Sequence, residues 1–428
     1  MRLTNIAQLR LPPGTVHSYS VRVERRASRP LPVSFDQARH VGAGDRPGSW
    51  MAISFRVRNA TREQVAAAWD AVVARHGTLR TVFSPPDRAA GTVQLHEGDA
   101  SPGSWTPHPI VDSPARTVRA VFDASCRPFG EPSHGLCLIE PHGGADPRPI
   151  VVIGADHAHL DMWSLVVLAR DLAIALDGAA PPAPVDDFAA HTAELERMPP
   201  APAEVHEAWQ RALEDGGGLM PRFPLPLGDV SRQHPEVVEV RDVLDAGGML
   251  RLGRRADAHG VRVTAFALSV LAGVSLDLAG TPLRAVFPVH SRYDRRWHDS
   301  VGWYITNSVI ECADPTPAGC AAAVRRALIL GSHPLTPILA PWGGMPPTPG
   351  MFAISWLDLR RLPVAPPEGS DPHWVSAVTE TDGVMIWFVV DDSGMHLRCR
   401  YPDTPEARRS VSTWLDAVEE GLRAVASR

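Results

Sequence analysis

Within six residues, Asp156-His157-Ala158-His159-Leu160-Asp161, the chain sets two imidazoles and two carboxylates, and Ser164 follows three residues later. Such a cluster can do three kinds of chemistry. Neutral imidazole, with a near-neutral pKa, can take a proton from an attacking hydroxyl or amine. The alternation His157-x-His159-x-Asp161 offers the ligand types of a zinc site. A serine beside a histidine could be a nucleophile, but Ser164 lacks the Gly-x-Ser-x-Gly elbow and sits where a helix cap belongs. The metal reading is short of ligands: Met162 and Trp163 come next, neither of them a good ligand for a hard cation, and no later segment gathers a second dense group of His and Asp.

The elements around the cluster give it a position. Pro149 to Ala155 is continuously apolar and rich in β-branched residues, the pattern of a strand buried on both faces. Leu165, Leu168, Ala169, Leu172 and Leu176 then recur at helical spacing up to Gly178, with Asp161 or Ser164 as the cap. The cluster therefore lies between a strand end and a helix start, where the helix carries partial positive charge and the backbone N–H groups after Asp161 could stabilise an oxyanion. His159 reads as a spacer rather than a catalyst.

Upstream, Trp50 to Val57 alternates as a strand, and Thr61 with Gln64 forms a capping box for a helix that runs to Gly77. Strands are expected at Leu79–Phe83, Thr117–Phe122 and Leu136–Ile139. The second half repeats the mixture, with helices at Glu204–Glu214, Thr264–Leu276, Pro317–Leu330 and Pro405–Ala424. Its strands are Leu283–Val289, Met351–Trp356, Met385–Val390 and His396–Arg400. Pro and Ala dominate from Gly178 to Ala203, with Pro181-Pro182 and Pro199-Pro200. This sets the expected domains: an N-terminal half over 1–180, a linker over 181–203 and a C-terminal half over 204–428. The class is α/β.

Composition removes other functions. All 42 basic residues are arginine, which excludes Schiff-base, pyridoxal phosphate and phosphate-loop lysine chemistry. A net charge of -6 gives no basic field for nucleic acid. The five scattered cysteines suit a reducing cytosol better than a disulfide scaffold, and the longest apolar stretch, Thr264 to Leu276, is too short to span a bilayer. A cytoplasmic protein without a transmembrane segment is expected.

Four segments carry a resemblance. Asp156-His157-x-x-x-Asp161-Met162 is similar to the His-His-x-x-x-Asp-Gly motif of condensation domains and related acyltransferases. His76-Gly77-Thr78-Leu79-Arg80-Thr81-Val82-Phe83 resembles their His-x-x-Leu-Arg-Thr-x-Phe element. Pro288-Val289-His290-Ser291-Arg292 resembles their Pro-Val-x-x-Arg strand, and Val301 to Ser308 the Gly-x-Phe-x-Asn-Thr segment that follows. Order and spacing agree from Ser34 to the C-terminus. His157-x-His159-x-Asp161 after an apolar strand also resembles the opening ligands of metallo-β-lactamase-like hydrolases, without their second Asp-His pair.

The first resemblance implies an α+β sandwich of two chloramphenicol-acetyltransferase-like halves in a V, with a central active-site tunnel. It implies a free-standing enzyme of the actinobacterial polyketide-associated acyltransferase branch, a monomer. Its donor is a thioester on an acyl or peptidyl carrier protein or on coenzyme A, its acceptor a small hydroxyl or amine compound, its product an ester or amide of secondary metabolism or lipid synthesis. No cofactor is implied beyond the phosphopantetheine or coenzyme A that the substrate brings, and no metal. His157 takes the place of the catalytic histidine, Asp161 and Arg292 that of the structural ion pair, and Trp303, Asn307 and Ser308 are candidates for lining the tunnel. Two residues depart from the motif. Asp156 replaces its first histidine, where a carboxylate could raise the pKa of His157 or fix its tautomer. Met162 replaces its glycine, where a side chain crowds a thioester arm. A non-catalytic condensation-like binding module is the alternative, and a metal hydrolase using His157, His159 and Asp161 the third reading.

Overall fold

The structure, a computed structural model, describes residues 2–86, 91–109, 113–179 and 183–427. Pro181 and Pro182 of the expected linker lie outside the described residues. The chain forms two compact units. The first comprises Met1–Arg197, Arg292–Tyr304 and Leu362–Val378, and the second Met198–Ser291, Ile305–Arg361 and Thr379–Arg428.

In chain order the first unit supplies strands β1 (Arg2–Asn5), β2 (Gly14–Arg25), β3 (Trp50–Arg56), β4 (Thr81–Ser84), β5 (Gln94–His108), β6 (His134–Pro141) and β7 (Ile150–Asp156). The second unit adds β8 (His234–Asp245), β9 (Leu283–His290), β10 (Ile305–Cys312) and β11 (Phe352–Asp358). The chain then returns to the first unit for β12 (His373–Ser376), and the second unit ends with β13 (Glu380–Thr381), β14 (Val384–Asp391) and β15 (Gly394–Pro402). The helices are α1 (Phe35–Gly42), α2 (Arg62–Arg75), α3 (Pro114–Ser125), α4 (Met162–Leu176), α5 (Phe188–Glu196), α6 (Ala203–Glu214), α7 (Ala246–Ala258), α8 (Val263–Ala279), α9 (Pro317–Leu330), α10 (Leu335–Leu339) and α11 (Pro405–Ser427).

The sheet of the first unit has the order β1-β12-β3-β7-β6-β2-β5-β4. Strand β7 is buried at every position and lies between antiparallel β3 and β6, so both its faces are covered, as its unbroken apolar run requires. Gly154 within it is needed for packing: a Cβ there would come within 2.7 Å of the Phe122 ring. The sheet of the second unit has the order β10-β9-β11-β14-β15-β8-β13. Its core is built from alternate residues such as Ile386, Phe388 and Val390 of β14 and Leu397 and Cys399 of β15, together with Leu271 of α8 and Trp414 and Val418 of α11. Helix α8 is apolar on most sides, and eight of its 17 residues are buried; among the described residues no single helix is long and apolar enough to cross a membrane. All five cysteines are unpaired and buried.

Three expectations need correction. Thr117–Phe122 is no strand but the middle of α3: Ser113 caps it by accepting from the Arg116 N–H, Pro114 opens it, and Val118 and Phe122, four apart, form its buried stripe. β-branched Thr117, Val118 and Val121 imitate a strand locally. The strand expected at Leu79–Phe83 starts only at Thr81, because Gly77–Arg80 forms a 3-10 turn in which the Thr81 hydroxyl donates to the Thr78 carbonyl. The halves are also not contiguous. Segments Arg292–Tyr304 and Leu362–Val378 belong to the first unit, and within the expected linker α5 buries Phe188, His191 and Thr192.

Candidate functional site

Strand β7 ends on Asp156, a 3-10 turn covers His157–His159, and Asp161 caps α4 by accepting from the Ser164 N–H at 2.7 Å. This geometry sends the polar side chains of the cluster to different partners.

His157 Nδ1–H donates to the Leu160 carbonyl at 2.9 Å. That bond fixes the tautomer and leaves the lone pair on Nε2. The ring stacks on Trp303, centroids 4.1 Å apart and planes 17° from parallel, and its backbone N–H donates to Ser49 O at 3.0 Å. Burial, reinforced by the neighbouring His40, pushes the His157 pKa below its ordinary value, so the ring is neutral at neutral pH. A half-buried, oriented, neutral imidazole is what proton abstraction needs.

Asp156 makes no hydrogen bond to that ring. Its buried carboxylate accepts from His40 Nε2 at 3.1 and 3.2 Å, from the Ser49 hydroxyl, and from the Ala158 N–H at 2.9 Å. Burial alone would raise its pKa, but the hydrogen bonds and charge of His40 with the Ser49 bond hold it below the usual value. The tautomer of His157 is thus set by Leu160, and Asp156 does not raise the pKa of His157 above its ordinary value.

His159 is buried edge-on against Phe83, and its Nε2–H donates to the Thr81 carbonyl at 3.2 Å; burial lowers its pKa. Asp161 pairs with Arg292 Nη2 at 3.2 Å and accepts from the Tyr304 N–H at 3.1 Å. His157, His159 and Asp161 therefore diverge, and the described residues hold no cluster of three metal-ligating side chains.

Arg292 is fully buried. Its Nη1 donates to the Trp297 and Ser300 carbonyls, its Nη2 also donates to the Ser164 hydroxyl at 2.8 Å, and its guanidinium lies 3.8 Å over the Tyr304 ring. The Ser164 hydroxyl donates to Gly302 O and accepts from Gly302 N–H, so it is fully engaged in structure and is no nucleophile. Gly302 is required here, since a Cβ would lie 2.5 Å from the Phe188 side chain.

Met162 occupies the first turn of α4, half-buried, and its carbonyl accepts from the Trp374 indole N–H at 3.0 Å. Of the three lining candidates, Trp303 is the plane against which His157 stacks. Asn307 and Ser308 lie on β10 in the second unit: Asn307 is half-buried opposite Pro288, and Ser308 is buried with its hydroxyl donating to Ala327 O of α9 at 2.6 Å, engaged in packing rather than lining. The His76–Phe83 element is structural as well. His76 Nε2 meets the Asp171 carboxylate of α4 at 2.8 Å, and Arg80 donates to Val73 O and Ala74 O at the end of α2.

Sequence reasoning missed His40, Arg46 and Ser49. One signal for the first was present: Ser34 and Gln37 form a complete capping box, which announces α1.

No protein-family model matches the chain. It is 29% identical over 336 residues to an isonitrile lipopeptide synthase of Mycobacterium tuberculosis, which covers 70% of this chain and 13% of that protein. It is 26% identical over 227 residues to the trehalose-2-sulfate acyltransferase PapA2 of the same species, covering 49% of this chain and 48% of that protein. The chain thus spans half or less of these relatives. Among solved structures it superposes on the PapA2 acyl transferase with a TM-score of 0.83 at 18% identity over 100% of both chains. On the first condensation domain of the calcium-dependent antibiotic synthetase the TM-score is 0.71 at 17% identity, over 94% of this chain and 97% of that one.

Proposed function

We propose that this chain, which has the fold shared by condensation domains and PapA2, is an acyltransferase that moves an acyl group from a thioester to a hydroxyl or amine and forms an ester or amide. The observation that carries the reading is the state of His157: neutral, held through Nδ1 by Leu160 O, its Nε2 lone pair available, at the start of a helix. The names of the two relatives, a lipopeptide synthase and an acyltransferase, support a reaction in lipid or natural-product synthesis. Five unpaired thiols fit a reducing compartment.

In this reading the acceptor gives its proton to His157 Nε2 as its oxygen or nitrogen attacks the thioester carbonyl. The oxyanion that forms is favoured by the positive end of α4. When it collapses the C–S bond breaks, and the imidazolium returns the proton to the leaving thiolate. The thioester arm, on coenzyme A or a carrier protein, is part of the substrate. Met162, at the first turn of α4, takes the place of the resembled motif's glycine, and its side chain would crowd a thioester arm approaching the backbone there.

Purified protein should release thiol from acyl-coenzyme A or an acyl-carrier protein in the presence of an acceptor. His157→Ala should lower the rate at least ~100-fold, the usual contribution of a general base, without changing the melting temperature by more than a few degrees. A folded wild-type protein that binds such donors and never turns them over would identify a binding module instead.

A further inference from the structure

Asp156 stands where the resembled motif has its first histidine. A buried carboxylate is costly unless charge and hydrogen bonds compensate it, and beside the Ser49 hydroxyl and the Ala158 N–H the compensation comes from His40 of α1, more than a hundred residues earlier in the chain. Arg46 Nη2 donates to His40 Nδ1 at 3.1 Å, which places the His40 proton on Nε2, directed at Asp156. Arg46 Nη1 also donates to the His40 carbonyl at 3.0 Å. Asp156 in turn accepts from the Ala158 N–H at 2.9 Å, while Gln37, one turn before His40, donates to the Ala158 carbonyl at 2.8 Å. Helix α1 therefore holds the Ala158 carbonyl directly through Gln37 and its N–H side through His40 and Asp156, Ala158 being the residue that follows His157 in its 3-10 turn. The His40 ring also meets Trp303 edge-on at 5.3 Å, against the same indole on which His157 stacks.

We propose that His40 is a positioning residue for His157: Arg46, His40 and Asp156 form a relay from α1 that fixes the 3-10 turn and, with Trp303, the plane of the His157 imidazole. The sidechain pair His40–Asp156 does the supporting work that the motif elsewhere assigns to a single histidine. The kinetic part of this inference rests on the acyltransfer reading; the structural part does not.

The relay also sets the charge around His157. The groups facing that ring are His40 from α1 and Asp156 from β7; Arg46 sits behind His40, and His159 interacts with Asp156. His40 is bound to the Asp156 carboxylate as a donor through Nε2, and that carboxylate favours a proton on His157. Removing His40 leaves the Asp156 carboxylate facing His157 without its imidazole donor, and that less compensated negative charge raises the pH at which His157 titrates.

The test uses the full chain with imidazole-labelled histidine, following the His157 resonances by NMR across pH in wild type, His40→Ala and His40→Gln, alongside thioester turnover. The His40→Ala protein should titrate His157 at higher pH, lose its preference for the Nδ1–H tautomer, and drop kcat at least tenfold with KM for the thioester within about twofold. The His40→Gln protein, whose amide still donates to Asp156, should recover kcat to within about threefold of wild type and bring the His157 titration back towards the wild-type value. Unchanged titration, tautomer and kcat in folded His40→Ala would overturn the relay, and so would a His40→Gln protein as impaired as His40→Ala. Should wild type transfer no acyl group, the acyltransfer reading fails, and the NMR arm still decides the relay.

Discussion

With Nδ1 committed to Leu160 O, Nε2 is the nitrogen of His157 that can accept a proton, and its charge state governs any reaction it catalyses. Burial and His40 lower its folded pKa below the ordinary 6.5, so the neutral form fills in as pH rises through a value under 6.5 and is complete at neutrality. The kcat/KM profile should therefore rise on its acid side below pH ~6.5 and lie flat from about 7 upward, as expected for a free-enzyme base. A midpoint above about 7 would contradict the assignment. His134, fully buried and pushed to about 3, stays neutral over this range and adds no limb of its own. Legibility at this scale was uneven. His157 was readable because a polar cluster interrupts an apolar strand. The partner of Asp156 was not, because hydrogen bonds across 116 residues leave no local pattern.

Among the elements, the start of α4 shows how strand ends, caps and loops share one carboxylate. Asp161 caps the helix through Ser164 N–H, anchors Tyr304 N–H and neutralises Arg292. These tasks are separable. Asp161→Asn keeps a good cap but removes the charge opposite a fully buried guanidinium; Asp161→Ala removes both. Breaking a buried pair costs about 3–5 kcal/mol and losing a cap about 1 kcal/mol more. Denaturant unfolding should therefore rank wild type above Asp161→Asn and Asp161→Asn above Asp161→Ala, with the first gap the larger. Equal stability of wild type and Asp161→Asn would mean the ion pair contributes nothing. Most helices were readable from spacing and caps: Thr61 with Gln64, Pro317 and Pro405 mark real starts. Helices α1, α5, α7 and α10 were not read, and α3 was read as a strand because β-branched residues on a helix imitate one when the buried stripe is only Pro114, Val118 and Phe122. Strand β12 was invisible for the opposite reason, having only four residues, directly after Pro372.

At the scale of the whole molecule, the return of the chain to the first unit has a consequence that a contiguous division at residue 180 would not have. Strand β12 lies between β1 and β3, parallel to one and antiparallel to the other. Without it β1 loses its sheet neighbour and β3 becomes an open edge. Segment Arg292–Tyr304 brings the partner of Asp161, the indole under His157, the Val301 carbonyl that accepts from the Thr78 hydroxyl at 2.7 Å, and the Trp297 and Tyr304 rings that pack with Phe188. A fragment ending at Arg197 keeps the whole 156–161 cluster yet lacks all of these. It retains a buried carboxylate with no guanidinium and an apolar cluster with two of its three core rings gone. We expect such a fragment to show helix in far-ultraviolet circular dichroism, weak near-ultraviolet signal and no cooperative thermal transition, while the full chain melts sharply. A fragment with a sharp melt and dispersed amide resonances would show that the first unit folds without its late segments. In that case the ion pair and β12 would serve only to complete the site around His157.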